Sequence, residues 1–133
     1  MGVVRAKLAV VGSNLEQEET IDVLVDTGST LTWIPEELAI RLSIEATGRA
    51  LFETADGRVL ERPIGDALVK CADTKGFVGI VFARPGDTPV LGVTALERLG
   101  LEVDPVRRVL RKVDRYLALK SGAQASRGSV ICP

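Results

Sequence analysis

Residues 20–30 read Thr20-Ile21-Asp22-Val23-Leu24-Val25-Asp26-Thr27-Gly28-Ser29-Thr30, an apolar run that stops abruptly at a carboxylate, a hydroxyl and a glycine. Ile, Val and Thr suit a pleated, half-buried surface, so Thr20–Val25 is expected to be a strand. Asp and Gly then favour a turn. A triplet of Asp, Thr or Ser, and Gly arises by chance in roughly one chain of this length in twenty. By itself it reads equally well as a simple turn at a strand end, and its surroundings have to decide.

Upstream, Val4, Ala6, Leu8 and Val10 alternate with Arg5, Lys7 and Ala9, the period of a second half-buried strand. Between the two, Gly12 to Glu19 is polar, and Glu16-Gln17-Glu18-Glu19 reads as a solvated loop rather than a metal site. Downstream, the pattern predicts a short helix beginning with Pro35 at its first position. Glu36 and Glu37 occupy its first turn, Leu38, Ala39 and Leu42 share one face, and Arg41 lies near its end. Ala50–Thr54 and Val59–Ile64 flank Ala55-Asp56-Gly57-Arg58, where Asp-Gly predicts a hairpin with a two-residue turn. Ala67–Ala72 and Gly76–Ala83 predict a second hairpin around Asp73-Thr74-Lys75-Gly76. Two prolines keep Arg84 to Pro89 out of any central strand.

Val90-Leu91-Gly92 leads into Thr94-Ala95-Leu96-Glu97, the pattern of a capping box, so a second short helix is expected to reach Leu99 with Gly100 as its terminator. Leu101–Val103, a turn at Asp104-Pro105, and apolar Val109, Leu110, Val113, Tyr116, Leu117 and Leu119 predict one or two further strands. The expected architecture is mainly β with two short helices. Residues 1–120 form one domain, and 121–133, rich in Gly, Ser, Ala and Gln, are expected to be a mobile tail.

The 133 residues contain no histidine, so a Ser/His/Asp triad, a Cys/His pair and a His-bearing zinc site are all excluded. Cys71 and Cys132 are far apart, and Cys71 sits in an apolar pattern that reads as a buried structural thiol. Neither glycine-rich nucleotide-binding pattern is present, and a formal charge of −1 offers no footprint for nucleic acid. Nothing reads as a signal-peptide core or a membrane span. The expected setting is cytoplasmic, without nucleic-acid or membrane partners. Acid–base chemistry is left to carboxylates, lysines, hydroxyls or Cys71.

Taken in order, Ile21 to Ser29, the Asp-Gly hairpin and Val90-Leu91-Gly92-Val93-Thr94-Ala95-Leu96 resemble the retropepsin-like aspartic proteases, a likeness running from about Val3 to Leu119. The resemblance implies a single-lobe closed barrel that is active as a symmetric homodimer, because the chain carries only one Asp-Thr-Gly. It implies an aspartic endopeptidase with no metal or organic cofactor, acting on an extended peptide or protein. Asp26 would be catalytic. Gly28 would give an amide to its carboxylate, Thr27 would bond across the dimer axis, and Ser29 would donate to the outer carboxylate oxygen. Ala55, Asp56, Gly57 and Arg58 would tip a flap, for which an ordinary solvated turn is the alternative. Val90, Leu91 and Gly92 would pack under the active-site loop.

Retroviral members usually continue the triplet with Ala-Asp and follow the later Gly with Arg, a charged pair replaced here by Thr30 and Val93. Both charges are absent together, which points to a cellular rather than a viral type. Trp33 reads as core packing beneath the helix in preference to a subsite wall. The competing function is a catalytically silent β-domain that dimerises or binds peptides.

Overall fold

The computed structural model describes residues 3–114. The expected positions Tyr116, Leu117 and Leu119, Cys132 and the 121–133 tail lie outside the described residues.

The described residues form nine strands and two short helices. The first strands are β1 (Arg5–Val11), β2 (Glu18–Val25) and β3 (Thr32–Pro35), followed by α1 (Glu36–Arg41), β4 (Gly48–Glu53), β5 (Val59–Cys71) and β6 (Thr74–Ala83). Then come β7 (Val90–Leu91), α2 (Val93–Leu99), β8 (Leu101–Asp104) and β9 (Val109–Lys112). Seven strands pair in the order β1-β2-β7-β3-β6-β5-β4, and β1 pairs with β5 as well, so the pairings return on themselves. β4 is carried outside that ring on β5, and β8 and β9 form a separate hairpin.

The alternation of β1 and β2 becomes a buried face. Leu8, Val10 and Val23 are fully or almost fully buried, and Ile21 and Val25 pack against them. Ile34, Leu38, Val69, Ile80 and Leu91 complete the centre of the core. Burying a side chain of this size is worth about 1.5–3 kcal/mol. The apolar side chains of β7 therefore make this two-residue strand a strong anchor. It lies parallel to β2, with Leu24 opposite Val90 and Val25 opposite Leu91, and it meets β3 at Trp33.

Several expected details change. Thr32–Pro35 is a strand in its own right, and Pro35 closes it as the N-cap of α1 rather than opening the helix. Glu18 and Glu19 belong to β2, where Glu18 pairs with Lys70 and Glu19 accepts two bonds from Arg41, so the second half of the acidic run is strand and those two charges are partnered. The two expected strands Val59–Ile64 and Ala67–Ala72 fall in one 13-residue strand that ends at Cys71. The β5–β6 turn sits at Ala72-Asp73, both with positive φ, earlier than Asp73 to Gly76.

The capping box does not form. Gly92 is the N-cap of α2, and the Thr94 hydroxyl instead donates to the Thr30 carbonyl at 2.6 Å. Gly100 does end α2 in a left-handed conformation. Cys71 is buried, and that burial pushes its thiol above the usual range. Among the described residues no helix is long and apolar enough to cross a membrane.

Candidate active site

β2 carries Asp26 to the surface just beyond its last paired residue. The Asp26 amide donates to the Leu91 carbonyl at 3.0 Å, and one residue earlier Val25 donates to Val4 at 2.8 Å. The chain then turns, with the Ser29 amide donating back to the Asp26 carbonyl at 3.1 Å. Within that turn the Gly28 amide donates to Asp26 Oδ1 at 2.9 Å. Asp26, Thr27 and Gly28 form an exposed crest. Ser29 does not donate to the carboxylate: its hydroxyl bonds the Leu31 carbonyl at 2.8 Å, which braces the descending side of the turn.

The underside of this loop is held by α2. Val93 and Thr94 donate their amides to the carbonyls of Ser29 and Thr30 at 2.8 and 3.2 Å. These are amides of the helix's first turn, which lack partners inside the helix. The Gly92 amide donates to the hydroxyl of Thr32, a fully buried polar residue. A Cβ at Gly92 would stand 2.4 Å from the Leu31 oxygen and 2.8 Å from the Ser29 oxygen. Main chain crosses main chain here with no room for a methyl group. Thr30 and Val93, the positions of the missing charged pair, thus lie in two segments joined by backbone bonds, Val93 to Ser29 and Thr94 to Thr30.

Above the loop lies a cleft of about 900 Å³. Asp26, Gly28, Ser29, Thr30 and Leu31 line one side, and Leu51 to Ala55, Arg58 and Leu60 of the β4–β5 hairpin line another. Trp33, Asp87, Thr88 and Val90 complete it. The structure therefore brings Asp26 together with Ala55, Arg58 and Val90. Thr27, Asp56, Gly57, Leu91 and Gly92 stand off the cleft surface.

Trp33 is a correction to the sequence reading. It is half-buried, faces the cleft and meets Phe52 edge-on at 5.0 Å between ring centres. The signal was available in the alternation Leu31, Thr32, Trp33, Ile34, which continues a strand beyond the triplet and sends Thr32 and Ile34 inward.

The hairpin turn also differs from the two-residue form. Thr54 donates its amide to Arg58 at 2.8 Å and Gly57 donates to Thr54 at 3.0 Å, which leaves Ala55-Asp56-Gly57 as a three-residue loop with Gly57 at φ 88°. This is the shape of a type I turn closed by a glycine bulge. The Thr54 hydroxyl bonds the Asp56 carboxylate, and Arg58 Nε lies 3.2 Å from it. The Thr54 bond first, with Arg58 behind it, holds the Asp56 carboxyl below the usual range.

The family model described as "gag-polyprotein putative aspartyl protease" matches residues 14–98. That span is well over half of the chain and includes the Asp26 loop, the hairpin and Val90 to Gly92, so the chain belongs to this retropepsin-like family of aspartyl proteases. The match is narrower than the likeness read from the sequence, and β1, β8 and β9 lie outside it. No individual curated protein matches the chain.

Proposed function

We propose that the protein is an aspartic endopeptidase whose catalytic domain, residues 1–120, is a closed-barrel lobe that works as a symmetric homodimer. The observation that carries this reading is the position of Asp26, with an amide on one carboxylate oxygen, on the floor of a hairpin-roofed cleft. The returning order of strand pairings supports the barrel. The exposure of Thr27 and Gly28 suits a loop that meets its own copy.

Amide hydrolysis by carboxylates needs one ionised group to take a proton from water and one protonated group to give a proton to the carbonyl oxygen. Two Asp26 side chains brought to about 3 Å cannot both ionise, so the pair holds one proton across an acidic range. The ionised carboxylate then takes a proton from the water between the two as its oxygen attacks the carbonyl carbon, and the protonated carboxyl gives its proton to the carbonyl oxygen, all without imidazole. Gly28 keeps Oδ1 oriented, and Thr27 joins the two loops. The hairpin, with Ala55 and Arg58 toward the cleft, covers an extended peptide and excludes water.

The test is Asp26→Asn. We expect peptide cleavage to fall by about 10⁴-fold, in line with losses on removing a principal catalytic group, while thermal midpoint and sedimentation stay those of the parent. An Asp26→Asn protein that cleaves as fast as the parent, or a parent that is active as a monomer, would refute the proposal.

A further inference from the structure

The inward face of the β4–β5 hairpin carries Ala50, Phe52, Leu60 and Ile64, and among them one charge, Arg62. Side chains two apart on a strand share a face, so Arg62 points the same way as Leu60, which lines the cleft. An inward arginine at the root of a hairpin needs a partner, and it has one. Its Nε and Nη2 donate to the two carboxylate oxygens of Asp87 at 2.8 and 3.1 Å. The two side chains are only 14% and 15% exposed, while every other ion pair among the described residues has a partner that is at least 46% exposed. Asp87 also accepts the Arg84 amide at 2.8 Å, and Arg62 Nη1 donates to the Glu61 carbonyl at 2.9 Å. The fork-to-fork geometry fixes direction as well as distance.

Asp87 stands where the hairpin and the catalytic floor can be joined. With its neighbour Thr88 it lines the cleft. Pro89 then accepts the Leu24 amide at 3.2 Å, and the chain enters β7, whose Leu91 carbonyl holds the Asp26 amide. Four residues after Asp87 the same segment is therefore seating the candidate catalytic residue. The β4–β5 tip, by contrast, is tied among the described residues only to itself, through Thr54, Asp56 and Arg58.

We propose that Arg62 and Asp87 are positioning residues, a latch that sets the height of the hairpin above Asp26 by fastening its root to the segment that seats Asp26. The effect on catalysis rests on the peptidase reading; the effect on the hairpin does not. Trp33 supplies the readout, because it is the chain's only tryptophan and touches the hairpin through Phe52.

The experiment compares Arg62→Met and Arg62→Lys with Arg41→Met. The last breaks another two-bond pair, with Glu19, that joins α1 to β2 away from the cleft. At a temperature where each variant is folded by circular dichroism, Arg62→Met is expected to raise acrylamide quenching of Trp33 about twofold and amide exchange across residues 51–60 about tenfold. Peptide kcat/KM should fall about tenfold, chiefly through KM, with the shape of the pH profile kept because Asp26 is untouched.

Arg62→Lys should fall between parent and Arg62→Met, since an ammonium cannot make the fork, and it decides by the same readouts if Arg62→Met does not fold. Arg41→Met should leave Trp33 and the hairpin as in the parent. Parent-like quenching and exchange in the Arg62 variants, or equal changes in Arg41→Met, would overturn the latch. A parent chain that cleaves no peptide would remove the peptidase reading, and the quenching and exchange data would still decide the latch.

Discussion

Below the cleft, the Asp26 loop is held by bonds from residues more than sixty positions away: Leu91, Val93 and Thr94 fasten Asp26, Ser29 and Thr30. Above it, the hairpin tip is held by bonds that span at most four residues, among Thr54, Asp56, Gly57 and Arg58. A glycine sits at each place, and the two are needed for opposite reasons. Gly92 has an ordinary φ of −90° and no room, since a Cβ would run into the Leu31 and Ser29 main chain. Gly57 has ample room and an unusual φ of 88°. The floor is thus a tightly packed crossing of two backbones and the roof a locally folded turn. The proposed peptidase would use that difference, holding a carboxylate still while admitting a substrate.

The same substitution at the two glycines tests the contrast most severely. Gly92→Ala should cost about 4 kcal/mol or more, because the obstacle is backbone that cannot rotate aside. That is much of the 5–15 kcal/mol by which a domain is stable, so denaturant titration should show a largely unfolded or sharply weakened chain. Gly57→Ala should cost only about 1 kcal/mol, the strain of placing alanine in the left-handed region. A Gly92→Ala protein as stable as Gly57→Ala would show that the floor yields more readily than its geometry implies.

The connection between the two regions should show itself in acid. The Arg62 hydrogen bonds, followed by the Arg84 amide, hold the Asp87 carboxyl below its ordinary value. A group whose folded pKa is lowered adds stability that is complete above the unfolded value, about 3.9 for Asp, and is lost as pH falls through the folded value. The thermal midpoint of the parent should therefore drop below about pH 4. Arg62→Met should have a lower midpoint at neutral pH and a shallower fall in that window, because Asp87 no longer has its main stabilising partner. Equal slopes in the two proteins would mean that the pair is not the source. Mildly acid conditions, in which the proposed shared-proton dyad would operate, leave Asp87 ionised and the hairpin root fastened.

Local chemistry was enough to place most of the elements. Period-two alternation marked β1, the run of Ile, Val and Thr before Asp26 marked β2, Asp56-Gly57 marked the hairpin, Gly100 marked the end of α2, and prolines kept residues 84–89 out of the sheet. The misreadings share a cause. Thr94 and Glu97 satisfy a local capping rule, yet Thr30 offers the Thr94 hydroxyl a carbonyl that no local pattern displays. Ser29 is one residue from Gly28, but the turn aims its hydroxyl at Leu31. Trp33 looks like a core aromatic until β3 is seen to run between β6 and β7 and to present its ring to the cleft.

By itself the sequence narrowed the candidate chemistry: a chain without histidine, carrying one Asp-Thr-Gly at the end of an apolar strand, has a carboxylate as its candidate reactive group. It also determined the class of fold, because strand periodicity and turn residues act over a few neighbours. Only the tertiary structure decided which residues share the cleft with Asp26, why Gly92 must lack a side chain, and that Arg62 and Asp87, 25 positions apart, meet as a nearly buried pair. Those facts depend on how distant strands cross, and the order of strand pairing is set by packing of the whole core rather than by any short run of residues.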